Sequence, residues 1–126
     1  MNPAPSAAAA AYKSANVENA PPLKLVRMMY EGALRFLEQA ESAHGAGDAA
    51  RFQERCLRAQ AIVAELRLAL DPAAAPELAA NLDSLYLFAE GEIRAAILGE
   101  VPTPLRPARD VLATLLDGWK RLEVVA

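Results

Sequence analysis

One histidine and one cysteine are all that this chain of 126 residues offers in soft ligands and strong nucleophiles. Metal sites and nucleophilic sites need several such groups to converge. There is no H-E-x-x-H, no C-x-x-C, and no pair of Glu-x-x-His motifs of the kind that holds two irons in a bundle. His44 stands just before Gly45 at the expected end of a helix, where a cation meets the negative end of the helix dipole. A phosphotransfer histidine would instead sit in mid-helix, accessible, with a lysine near it. Cys56 lies in a helical apolar stripe with no histidine near it in sequence. It reads as a small core residue in a reducing compartment rather than a reactive thiol. No glycine-rich loop follows a strand, so nothing cradles a phosphate. The acids lie mostly on polar helix faces, where solvation and i,i+4 pairing with arginine account for them. The sequence therefore offers no active site, no cofactor and no metal, and the expectation is a protein that binds rather than catalyses.

The elements that would present a binding surface are helices. The chain is 54% hydrophobic and 23% charged, enough apolar surface for one core and unlike a disordered chain. Alanine and leucine are abundant and no alternating pattern is flanked by hairpin turns, which favours helix throughout. The net charge of −3 and the mixing of cations with acids argue against a nucleic-acid partner. No apolar run reaches the roughly 18 residues of a membrane span, and the N-terminal alanines follow no basic segment, so membrane insertion and secretion are not expected. The expected location is the cytosol.

Asn19 to Glu41 is the most informative stretch. It opens on a proline pair, Pro21-Pro22, which suits a helix start. Leu23, Val26, Tyr30, Ala33, Leu37 and Ala40 then recur at steps of three and four, with Leu25, Met29, Gly32 and Phe36 as a second row beside them. Gly32 costs its helix about 1 kcal/mol against alanine. Either a neighbouring backbone comes close there or the missing side chain leaves a notch for a partner. Helix one should end near His44–Gly47, with Asp48 as N-cap of a second helix over about 49–70. In that helix Phe52, Cys56, Ala59, Val63, Leu66 and Leu70 form the stripe, Ile62 and Ala69 widen it, and Gln60 and Glu65 fall on solvated surface. Pro72 and Pro76 stop it. A third helix over about 77–98 carries Leu78, Leu82, Leu85 and Ala89 as its row, flanked by Tyr86, Ile93 and Ile97. Asn81, a poor helix former in mid-helix, is either exposed or bonded to another segment. A fourth helix over about 106–122 buries Leu105, Ala108, Leu112, Leu115, Trp119 and Leu122. The fold expected is all-α, an antiparallel up-down four-helix bundle at residues 19–126 behind a flexible N-terminal tail at 1–18. In that tail Tyr12 and Val17 are either incidental or pin it to the body.

Four segments carry a resemblance. P-L-K-L-V-R-M-M-Y-E-G-A-L-R-F-L (Pro22 to Leu37) resembles the helix-one motif S-P-x-x-L-I-x-M-L-Y-D-G-A of the flagellar secretion chaperone family, FliS. Arg58 to Asp71 resembles that family's A-Q-x-I-I-x-E-L-x-x-x-L-D, and Leu78 to Phe88 its I-A-x-N-L-x-x-L-Y-x-Y/F. Trp119 matches its late tryptophan, and Tyr12 a tyrosine upstream of the helix start. Two positions depart: Pro21 replaces the usual capping serine, and Ala96-Ile97 replace a late Ala-Asn pair. The resemblance implies a cytoplasmic export chaperone that binds the disordered C-terminal segment of flagellin, prevents its premature polymerisation, and delivers it to the flagellar export gate as second partner. The candidate partner-contacting residues are Tyr12, Val17, Gly32, Ile62, Leu66, Asn81, Leu85 and Tyr86. A regulatory or structural bundle that dimerises through helix faces is the alternative.

Overall fold

A computed structural model of the protein describes residues 10–12, 23–99 and 105–125. Val17 and the proline pair before helix one lie outside the described residues. Four helices carry the described chain: α1 (Leu23–Gly45), α2 (Ala49–Leu68), α3 (Pro76–Ile97) and α4 (Arg106–Val125). Helix α1 packs on α2 and α4, and α3 packs on the same two, so neighbours in sequence are neighbours in space. This is the antiparallel up-down bundle that short connections between long helices enforce.

The connections follow from their residues. Gly47 takes a φ of 75°, a left-handed conformation that closes the α1–α2 turn with no Cβ clash. The Asp48 carboxylate accepts the Arg51 amide at 3.1 Å and so satisfies one of the free donors of α2. Beyond α2, Asp71 folds the chain back by accepting the Ala73 amide at 3.1 Å. Pro76 then opens α3 at a position where no N–H is needed.

The periodic rows on α1, α2 and α4 point inward largely as expected. Val26, Tyr30, Ala33, Leu37 and Ala40 of α1 are buried with Phe52, Cys56, Ala59, Val63 and Leu66 of α2, with Ala108, Leu112, Trp119 and Leu122 of α4, and with Leu105 just before it. Each large side chain among them contributes about 1.5–3 kcal/mol by leaving water. Two expectations need correction. The second row of α1 does not make a wide buried stripe, since Leu25 is 46% exposed and Met29, Gly32 and Phe36 are half-buried. In α3 the buried row is Ala79, Leu82, Tyr86, Ala89 and Ile93, which leaves Leu85 exposed and Leu78 at the margin. Helix α3 is apolar around much of its girth, so its sequence fixes a period without fixing which line of residues faces the core.

Polar ties cross between helices. Arg67 of α2 donates to the Glu90 carboxylate of α3 at 2.6 Å, and Glu90 is itself 6% exposed. Gln60 reaches the Glu90 carbonyl at 3.4 Å, so it is half-buried and engaged rather than on solvated surface. Arg109 of α4 pairs with Glu41 of α1 at 3.0 Å. Glu41 and His44 do stand at Glu-x-x-His spacing, but they diverge: the carboxylate turns to Arg109 while the imidazole lies 5.2 Å from the Phe52 ring.

Candidate partner-binding surface

Three phenols and an indole gather where the N-terminal segment meets the bundle. Tyr86 of α3 hydrogen-bonds both Tyr12 and Tyr30 through its hydroxyl. The Trp119 ring lies 5.8 Å from Tyr12 and 6.1 Å from Tyr30, tilted to both. The Tyr12 ring is 5% exposed. Its backbone is held too: Asp71 donates its amide to the Ala11 carbonyl at 2.7 Å, and Tyr12 pairs with Leu70 in an isolated antiparallel bridge. Tyr12 therefore pins its segment to the body, and Leu70 is the residue it meets. Burial pushes the Tyr12 phenol above its ordinary pKa, and pushes Tyr30 and Tyr86 well above it. Removing water penalises each phenolate, and at Tyr86 the hydrogen bonds to its two neighbours raise the pKa further, so the cluster stays neutral into alkaline solution.

Next to this cluster an apolar groove runs between α3 and α4. Leu78, Leu82, Leu115, Trp119 and Leu122 enclose a cavity of about 200 Å³, with Thr114 and Gly118 on its α4 side. Thr114 and Leu115 also line a second cavity of about 250 Å³ with Leu85, Asp110 and Val111, so the two share a wall. Leu78, Leu82 and Leu85 step by four and three along one edge of α3, the spacing at which a docked helix would seat its own side chains. A Cβ built at Gly118 meets nothing within 4 Å, so the missing side chain keeps this part of the groove open.

The candidate residues do not form one site. Tyr12 and Tyr86 belong to the buried phenol cluster. Leu66 is buried in the core and unavailable to a partner while the bundle stays closed. Leu85 alone among them lines the α3–α4 groove. Asn81 is exposed on α3, and no hydrogen bond of its side chain to another segment is formed among the described residues. Gly32 faces Ile62 across α1 and α2, where an added Cβ would lie 3.5 Å from the Ile62 methyl, an ordinary contact. Close backbone approach is therefore not what requires glycine at position 32. Sequence reasoning missed Val111, Thr114 and Gly118, and took Leu78, Leu82, Leu115 and Trp119 for core alone. A signal was present: α3 carries more apolar residues than one buried face can use.

No helix among the described residues is long and apolar enough to cross a membrane. No group of three or more His, Cys, Asp or Glu side chains among them is placed to hold a metal ion. The cysteine is buried, and burial pushes the Cys56 thiol up to about 11.

The family model described as Flagellar protein FliS matches residues 4–125. The chain belongs to this family. A FliS relative from Vibrio cholerae serotype O1, described as a flagellar secretion chaperone, is 29% identical over 116 residues, covering 89% of this chain and 85% of its own. A FliS relative from Bacillus subtilis strain 168 with the same description is 28% identical over 111 residues, covering 88% of this chain and 82% of its own. The span matched to the FliS family takes in all four helices and Tyr12.

Proposed function

We propose that this FliS protein is a cytosolic export chaperone that binds the C-terminal segment of flagellin, holds it from premature polymerisation, and hands it to the flagellar export apparatus. The observation that carries the reading is the leucine-lined groove between α3 and α4, in a chain whose relatives are described as flagellar secretion chaperones. A filament subunit's terminal segment must be apolar to assemble, and left free it would self-associate. Seating an amphipathic helix of that segment along Leu78, Leu82 and Leu85 would remove its apolar face from water. The ordering entropy of the client lowers the net affinity, which keeps the complex reversible for release at the export gate. The work is binding, and no bond is made or broken.

The test uses Gly118. A Cβ at this position meets nothing within 4 Å, and Gly118 lines the groove, so leucine has room there. Gly118→Leu should therefore keep or raise the melting temperature, since leucine is the better helix former by about 1 kcal/mol. It should weaken capture of flagellin about tenfold or more by filling the channel. Calorimetry of the wild-type chain with flagellin should show a negative heat-capacity change, absent when the flagellin lacks its C-terminal segment. Unchanged affinity in Gly118→Leu would move the client elsewhere on the bundle. A concentration-dependent dimer that Gly118→Leu abolishes, with no flagellin binding by the wild type, would establish the dimerisation bundle instead.

A further inference from the structure

Helix α2 carries two apolar stripes, and the bundle uses one of them. Phe52, Cys56, Ala59, Val63 and Leu66 are buried in the core. Leu57, Ala61, Ala64 and Leu68 recur at steps of four, three and four as well, yet Leu57, Ala61 and Leu68 are exposed, Leu68 by 67%, and Ala64 is half-buried. A stripe of this strict spacing is the seam of a two-helix coiled coil, and here it faces solvent. Helix α3 extends the face. Gln60 and Arg67 both bond Glu90, at 3.4 and 2.6 Å, which puts α3 along one flank of the seam. On that edge of α3, Leu87 stands one turn before Glu90 and Leu98 two turns beyond it, both exposed. Between them a Cβ at Gly91 would meet nothing within 4 Å. Exposed Phe88 stands beside Leu87. Five of the eight large hydrophobic side chains exposed among the described residues thus share one face. Together they present on the order of 500 Å² of apolar surface, as much as the largest patch of a typical monomer.

The stripe itself indicates the occupant. Leu57, Ala61, Ala64 and Leu68 read the same in both directions, in residue type and in spacing. That is what a two-fold axis demands of an antiparallel pair. The axis crosses α2 between Ala61 and Ala64, so Leu57 meets Leu68 of the second copy and Ala61 meets Ala64 of the second copy. Small residues at the centre let the helices approach closely, and the leucines close the ends. The charges obey the same symmetry. Arg58 and Glu65 are exposed on the side of the seam away from α3, and the axis brings Arg58 of each copy beside Glu65 of the other. Glu65 is in no ion pair among the described residues, so its carboxylate is available. A lipid surface would need a basic rim, whereas Glu54, Glu65 and Asp83 stand here among Arg58, Arg67 and Arg94. With its rim the face approaches the roughly 800 Å² per partner of a stable interface. We propose that the chain pairs with a second copy of itself through the α2–α3 face, as an isologous antiparallel dimer. Leu78, Leu82 and Leu85 lie on the other edge of α3, so the dimer leaves both α3–α4 grooves open. The pairing holds whether or not flagellin is the client there.

Sedimentation velocity of the full chain, from micromolar to millimolar concentration, tests it. The chain should pass from monomer to dimer with a dissociation constant of about 1–100 μM, as suits an interface of this size. Leu57→Glu and Leu68→Glu should each weaken the dimer about tenfold or more, because each sets a carboxylate against a leucine. Their melting temperatures at low micromolar concentration should stay close to the wild type, since both side chains are exposed in the single chain. Gly118→Leu, in the groove, should leave the dimer unchanged. Charge exchange tests the register. Arg58→Glu and Glu65→Arg should each weaken pairing about threefold or more by placing like charges side by side. An equimolar mixture of the two should recover it, since every contact between unlike copies then joins opposite charges. A chain monomeric throughout the range overturns the proposal. So does a dimer that both leucine variants leave intact, and so does a mixture that associates no better than either variant alone. A dimer lost in Gly118→Leu would place the contact in the groove and overturn it too.

Discussion

Tyr12 is the place to perturb the balance between the N-terminal segment and a client. Its ring touches Trp119, and Trp119 lines the α3–α4 groove, so the docked segment stands at one end of the proposed client channel. Burying the ring contributes about 2–3 kcal/mol. The hydroxyl bond to Tyr86 and the backbone bond from Asp71 to Ala11 add about 1 kcal/mol each. Fixing the backbone of Ala11 and Tyr12 costs about 1–2 kcal/mol per residue. The docked form is then favoured by about 1–2 kcal/mol, and roughly one molecule in ten is open. If a client must find the segment undocked, its apparent affinity is reduced by that open fraction. Tyr12→Phe removes the hydroxyl bond, worth about 1 kcal/mol, and should tighten flagellin binding about threefold. Tyr12→Ala should tighten it about tenfold, and deletion of residues 2–18 no further, because the gain saturates once every molecule is open. Titration calorimetry of the three variants against flagellin gives the dissociation constants. Weaker binding in both Tyr12→Ala and the deletion would refute competition between the segment and the client and make Tyr12 a client contact; equal constants throughout would return it to a purely structural role.

Three further predictions concern stability. Gly32→Ala should raise the melting temperature by removing about 1 kcal/mol of helix penalty, since the new Cβ makes an ordinary contact with Ile62, whereas Gly32→Leu should overpack the same spot and cost about 1–3 kcal/mol; thermal melts of both variants distinguish packing from recognition. Arg67→Met leaves the buried Glu90 carboxylate unpaired and should cost about 3 kcal/mol in urea denaturation, most of it recovered in the double variant with Glu90→Gln. The Cys56 thiol at about 11 and the raised phenols of Tyr12, Tyr30 and Tyr86 make the fold labile to alkali. The unfolded chain ionises these groups from about pH 9 to 10 while the folded chain does not, so the stability present below that range falls as pH rises through it, by up to about 1.4 kcal/mol per pH unit for each group. Urea midpoints at pH 8 and pH 10.5 check this, and Tyr86→Phe should flatten the slope. An identical midpoint at both values would show that the cluster is solvated.

What the sequence determined by itself is local and periodic. Steps of three and four placed four helices within a few residues of their observed ends, because helix pitch repeats along the chain and proline and glycine interrupt it visibly. Asp48 could be named as an N-cap for the same reason: its bond reaches only three residues ahead. Cys56 and the α2 stripe were legible because Phe52, Cys56, Ala59, Val63 and Leu66 recur at steps of three and four, and all of them are buried. What only the tertiary structure decided is how the faces turn. Helix α3 is apolar on several sides, so its period did not reveal that Tyr86 points inward to two other phenols while Leu85 faces an open groove. The groove exists only where the edges of α3 and α4 lie side by side, and no single helix carries it. Gly118 shows its role only as empty space between those edges. Tyr12 met Leu70 and Trp119, residues 58 and 107 positions further along, through an approach that depends on the closed bundle.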